Sequence, residues 1–154
     1  DGQTGWQVAP LQGVFEPQVV APEADSAGSV DQHDIEGPLV DWREKGHLVE
    51  LAGREMLPGG EAHKLKLTLA GGAVRYDYVD AVSHLVVRSD FTRMIRGRPV
   101  ELQNTFSDFR EVGGLVFPHH IETRAKDRPE VVTIEIETIE LDPELDDALF
   151  RLPG

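Results

Sequence analysis

The sequence predicts a mainly β domain: a curved antiparallel meander sheet forming an incomplete β-barrel, with one or two short helices on its concave face. Three observations predict it. Apolar and polar residues alternate through Leu65–Leu69, Val74–Tyr78, Leu85–Phe91 and Val132–Thr138, the period of half-buried strands. Turn residues separate these runs at Pro58-Gly59-Gly60, Ala70-Gly71-Gly72, Gly97-Arg98 and Gly113-Gly114. The loops run to a few residues each, and loops that short force antiparallel pairing, because a parallel connection needs about a dozen residues or more.

The elements follow in order. Thr4 to Ala9, with Trp6 and Val8 on one face, reads as a short strand. Pro10, Gly13, Pro17 and Pro22 make the next stretch a poor place for a long regular element. Pro22, Glu23 and Asp25 resemble the acidic first turn of a helix running toward Asp34. A second helix is expected from Pro38, with Leu39 and Trp42 at i, i+3 spacing, Arg43 and Lys45 in the last turn, and Gly46 closing it. From His47 onward strands are expected near 47–57, 61–70, 73–80, 84–95, 99–109, 114–125 and 130–140. Pro99 and Pro118 belong at strand starts, edges or bulges. In the tail, Leu141 to Pro153, a turn at Asp142-Pro143 leads to an apolar clasp of Leu145, Leu149 and Phe150. A single domain over residues 1–154 is expected. Asp1-Gly2 reads as entry into a hairpin already under way, so an upstream segment, a signal peptide or both are expected.

Composition narrows the function. Hydrophobic residues make up 40% and charged ones 28%, ordinary for a globular domain. No apolar run approaches the roughly 18 to 20 residues of a transmembrane helix. The net charge of −13 reads as an evenly acidic surface that repels phosphate backbones, so no nucleic acid partner is expected and docking to bare anionic lipid is disfavoured. The absence of cysteine removes thiolate catalysis, Cys-ligated zinc and disulfides.

The area of the sheet is the functional clue. Eight strands of about eight residues, at about 4.8 Å spacing and about 3.3 Å per residue, present a face on the order of 1,000 Å². A helix of about eight residues covers on the order of 120 Å². Monomers rarely leave contiguous apolar patches above a few hundred Å² exposed. The sheet is therefore expected to curl on itself, pair with another copy, receive an upstream segment or hold a hydrophobic ligand.

Polar candidates for chemistry are sparse. His119, His120 and Glu122 could approach a metal, with His84 or His63 as a third ligand, yet strand alternation puts His119 on the face opposite the other two. Asp31, His33 and Asp34 read as solvated surface. Asp80, Ser83 and His84 can be drawn as a triad, but no nucleophile elbow or oxyanion loop accompanies them. The glycine pairs at 59–60, 71–72 and 113–114 serve turns, and Glu135, Glu137 and Glu140 fall on a solvent side with Thr133. No catalysis, cofactor or metal is expected. Trp42 reads as a core anchor that could double as a plug over a pocket.

Four segments carry a family resemblance. Asp1-Gly2-Gln3-Thr4-Gly5-Trp6, the stretch Gly37 to His47, Phe109 to Pro118, and Leu145 to Pro153 resemble, in order, motifs of the LolA/LolB-type outer-membrane lipoprotein-sorting family. The resemblance implies an incomplete antiparallel barrel whose apolar interior is occluded by helices. It also implies a periplasmic carrier that shields acyl chains of lipoproteins and performs no chemistry. The family's opening helix and first strands have no counterpart here.

The expectation is thus a periplasmic carrier for lipid or acylated lipoprotein, a monomer without a transmembrane segment. Its expected liners are Leu39, Trp42, Leu65, Leu67, Leu69, Tyr76, Tyr78, Leu85, Val87 and Phe91, with the inward side taken from the stronger alternation. The alternatives are an envelope sensor that binds lipoprotein and a protein partner, a metalloenzyme around His119, His120 and Glu122, and a dimer that closes the open sheet.

Overall fold

A computed structural model describes residues 5–9, 14–20, 36–95 and 97–146. Strands β1 (Gly5–Ala9) and β2 (Val14–Val20) form a two-stranded antiparallel sheet. The remaining strands are β3 (Leu48–Leu57), β4 (Gly60–Thr68), β5 (Val74–Asp80), β6 (Val86–Ile95), β7 (Arg98–Val112), β8 (Leu115–Ala125) and β9 (Val131–Glu135). They form one seven-stranded antiparallel sheet in sequential order. The sheet is open, with β3 and β9 as its two edges.

Strand β2 corrects one expectation, because Pro17 lies within it. In a two-stranded sheet every strand is an edge, where a missing N–H is tolerated. Pro17 also falls at the irregularity between Gln7↔Gln18 and Ala9↔Val14, where no residue pairs with it.

The expected helix after Pro38 is corrected as well: residues 38–46 are consecutive turns. Asp41 has φ +49°, a left-handed conformation that a right-handed helix cannot pass through. The expected stop signal nevertheless forms. Gly46, at φ +75°, donates to Arg43 O at 3.1 Å, and His47 N–H reaches Trp42 O at 2.8 Å, the two bonds of a Schellman motif. Ala70 N–H then donates to His47 Nδ1 at 3.1 Å, tying this segment to the β4–β5 turn. Among the described residues there is no helix long and apolar enough to cross a membrane. The helix expected within 22–34 lies outside the described residues.

Turn chemistry sets the register. Between β4 and β5, Gly72 at φ +85° donates to Leu69 O, and Leu69 N–H donates to Ala73 O, both at 2.8 Å. This loop with its left-handed glycine fixes Thr68 opposite Val74 and so aligns the two strands. Between β7 and β8 both turn residues are left-handed, Gly113 at +59° and Gly114 at +85°, the signature of a type I′ hairpin. The chain after β9 runs along β8 toward this turn: Ile136 N–H donates to His119 O, and a Cβ added to Gly113 would come within 2.5 Å of Leu141 Cδ1. Gly114 has open space around the same position. Gly114→Ala should therefore cost about 1 kcal/mol from backbone strain alone. Gly113→Ala should cost more, about 2 kcal/mol, because Leu141 must also move. Urea unfolding of both variants checks the order, and equal losses would refute the packing of Leu141 on this turn.

Candidate functional site

Residues directly opposite in an antiparallel pair point to the same side, so the register sorts the sheet into two faces. One face carries the row Val49–Leu67–Arg75–Phe91–Leu102–Ala125. The next row on that face is Leu51–Leu65–Asp77–Ser89–Asn104–Thr123–Val132, followed by Phe106–Ile121–Ile134. The opposite face carries Glu50–Lys66–Tyr76–Asp90–Gln103–Arg124 and, beside it, Lys64–Tyr78–Arg88–Thr105–Glu122–Thr133. The first face is apolar with one polar stripe, and the second is polar.

The expected liners do not all share a surface. Leu65, Leu67 and Phe91 lie on the apolar face. Tyr76 and Tyr78 lie on the polar face, opposite Lys66 and Lys64, which corrects their placement as co-liners. Val87 sits at the irregularity between Tyr78↔Arg88 and Val79↔Val86, where it has no partner. Leu69 is in the β4–β5 turn, Leu85 is in the β5–β6 connection, and Leu39 and Trp42 are in the 38–46 turns. Trp42 is half-buried, with the Arg43 guanidinium 4.0 Å from its ring centroid.

On the polar face Tyr78 is fully buried beneath cations: Arg88 lies 4.5 Å and Lys64 5.2 Å from its ring. Its hydroxyl donates to Asp90 Oδ2 at 3.1 Å. Arg88 grips both carboxylate oxygens of Asp90 at 2.9 and 2.6 Å, and Gln103 adds a third donor at 3.1 Å. Burial works to raise the Asp90 pKa, yet these hydrogen bonds outweigh it and hold the group below the usual carboxylate range. Every contact in this network is internal, which makes it a framework that locks β5, β6 and β7 together.

On the apolar face the polar stripe is also cross-bonded. Arg75 Nη2 donates to Asp77 Oδ1 at 2.8 Å and to Ser89 Oγ at 2.9 Å, and Ser89 Oγ donates to Asp77 Oδ1 at 2.6 Å. Thr123 Oγ1 donates to Asn104 Oδ1 at 2.9 Å farther along. Around the stripe the hydrophobic residues are incompletely covered. Leu67 is buried, but Leu51 keeps 67% and Val132 62% of its exposure.

The histidines resolve into separate structural roles. His119 is buried with Nδ1 3.2 Å from Phe117 O, while His120 and Glu122 share the other face, as alternation requires. Among the described residues no group of three acidic or imidazole side chains is arranged to hold a metal. The partner that the sequence did not reveal is Glu135, whose Oε1 lies 2.6 Å from His120 Nδ1. That hydrogen bond, aided by Glu122, raises the His120 pKa above 6.5 against a smaller opposing effect of desolvation. The pair fastens edge strand β9 to β8. Its stabilisation is complete below the unfolded value of about 6.5 and is lost as pH rises through the higher folded value. The melting temperature of His120→Gln should therefore fall short of the parent's most clearly between about pH 5 and 6.5 and converge with it by about pH 9. A gap that widens with pH would refute the assignment.

Asp80, Ser83 and His84 form a turn. Asp80 Oδ1 accepts from Ser83 N at 2.6 Å, Ser83 Oγ at 2.8 Å and Val82 N at 3.1 Å, and these bonds hold its carboxyl below the ordinary range. The serine hydroxyl meets the acid directly, so the order of a hydrolytic triad is absent. Asp31, His33 and Asp34 lie outside the described residues, as do Leu149 and Phe150 of the expected clasp. Comparison of the chain with protein-family models, with curated proteins and with solved structures finds no match.

Proposed function

We propose that the apolar face binds acyl chains of lipids or lipoproteins in the periplasm and carries them without catalysis. In this proposal the open sheet curls into an incomplete barrel. The Trp42 segment and the helix expected within 22–34 close over its concave side. The supporting observation is the hydrophobic residues that flank the polar stripe of this face, Val49, Leu51, Leu65 and Leu67 on one side and Phe91, Leu102, Phe106, Ile121, Val132 and Ile134 on the other, most of them exposed or half-buried. Each CH₂ of a chain laid on such a surface contributes about 0.8 kcal/mol, so binding scales with chain length and needs no reactive group. Native mass spectrometry of gently purified protein, followed by displacement of a fluorescent fatty acid, tests this. Co-purifying lipid and affinity that rises with chain length are expected. Protein that emerges empty and takes up no probe would overturn the proposal.

A further inference from the structure

The charge of the chain is uneven along the strands, with a basic spot at one hairpin tip. In a meander the turns alternate between two ends of the sheet. The acidic stretch 135–146, with six acids and no base, runs to the end that holds the Gly113-Gly114 turn. The opposite end holds the β6–β7 turn and the 126–130 connection. There residues 93–98 contain arginines and no acid, while the connection balances Lys126 and Arg128 with Asp127 and Glu130, and Lys126 pairs with Glu101 at 3.1 Å.

The β6–β7 hairpin also outruns its neighbours. Strand β5 pairs with β6 no farther along than Phe91, and β8 begins pairing with β7 only at Leu102. Toward the tip the two strands pair only with each other, through Arg93↔Val100, Met94↔Pro99 and Ile95↔Arg98. Three residues of strand amount to about 10 Å of projection. On this ribbon Met94 is 56% and Ile95 43% exposed, and among the described residues neither Arg93 nor Arg98 makes an ion pair.

From this geometry we propose that the hairpin tip docks on an anionic phospholipid bilayer. Met94 and Ile95 enter the boundary between headgroups and acyl chains, and Arg93 and Arg98 meet lipid phosphates, joined by Arg128 from the adjacent connection. The net charge of −13 does not prevent this. Charges beyond the Debye length of about 8 Å are screened, and the 135–146 stretch runs to the far end of the strands, so the acids near the tip are Glu101, paired with Lys126, and Asp127 and Glu130 of the connection. The resulting dipole turns the acidic end outward from the membrane. The expectation that anionic lipid repels the whole surface holds for an even charge distribution, and this one is uneven. A nucleic acid would attract the arginines but gain nothing from Met94 and Ile95.

The chain has no cysteine, so Ile95→Cys carries one environment-sensitive fluorophore at the tip. Mixed with vesicles of phosphatidylglycerol and phosphatidylcholine, the labelled protein should co-sediment and its fluorophore should shift to the blue. With phosphatidylcholine alone both effects should largely disappear. Arg93→Gln and Arg98→Gln should each weaken binding about fivefold, and added salt should weaken it further. Met94→Ser should weaken it as well and, since Met94 lies on the face opposite Phe91, should leave fatty-acid uptake unchanged. Absence of binding, equal binding to both vesicles, or a fluorophore that stays in water overturns the proposal. Displacement by a single-stranded oligonucleotide with no effect of Met94→Ser also overturns it, since the tip would then be a general polyanion site. The proposal does not rest on acyl-chain carriage, and the uptake measurement separates the failure of one from the failure of the other.

Discussion

Replacing Asp77 with alanine should destabilise the fold by about 3 kcal/mol and lower the melting temperature by roughly 6–12 °C. The carboxylate is at the centre of the apolar face, with only 2% of its side chain exposed, and it receives both Arg75 and Ser89. Removing it takes away the carboxylate that Arg75 grips through Nε and Nη2 and the acceptor of the buried Ser89 hydroxyl. The value lies at the low end of the range for breaking a buried pair because Arg75 retains some solvent exposure. A second variant separates the loss of a contact from the weakened pairing of a buried charge. Arg75→Leu, Asp77→Leu and Ser89→Ala together replace the whole cluster with apolar atoms, and most of the lost stability should return. Thermal and urea unfolding followed by circular dichroism provide both numbers. A single variant as stable as the parent, or a triple variant no better than the single, would show that the cluster is not buried as described.

That cluster also shows where the sequence was legible. Alternation and glycine turns located six of the seven strands to within three residues, because period and turn chemistry are local properties, whereas the strand expected over 130–140 ends at Glu135 and is exposed along its length. The stop at Gly46 was equally readable, whereas the helix before it was not, since nothing in Pro38–Lys45 announces a left-handed Asp41. Faces were harder. Leu65 and Leu67 on one strand and Tyr76 and Tyr78 on the next each look like an inward set when read alone. Only the register decides between them. Counting across the loop Ala70-Gly71-Gly72 pairs Leu65 with Asp77 and Lys66 with Tyr76, so the signal was in the turn and not in the hydrophobicity. The charged tip was hidden for a related reason: a total of −13 says nothing about which end of a meander collects the arginines.

The face assignment has the largest consequence for ligand uptake. Leu65 and Phe91 sit on the apolar face and Tyr76 on the other, although all three are half-buried and alternate alike in sequence. Removing a side chain of that size from a lipid contact forfeits about 1.5–3 kcal/mol. Leu65→Ser and Phe91→Ser should therefore each weaken binding of a fluorescent fatty acid by about 10- to 100-fold. Tyr76→Ser removes a comparable area beside Lys64, whose ammonium lies 4.9 Å from the ring, and should leave uptake within about twofold of the parent. The melting temperature of each variant is measured in parallel, so that a general loss of folding is not taken for a loss of binding. The design is sharp because the two faces are separated by a single backbone layer, and an acyl chain lying on one cannot touch the other. If Tyr76→Ser abolished uptake while Leu65→Ser and Phe91→Ser retained it, the ligand would lie among the lysines and tyrosines, and the apolar face would need another occupant.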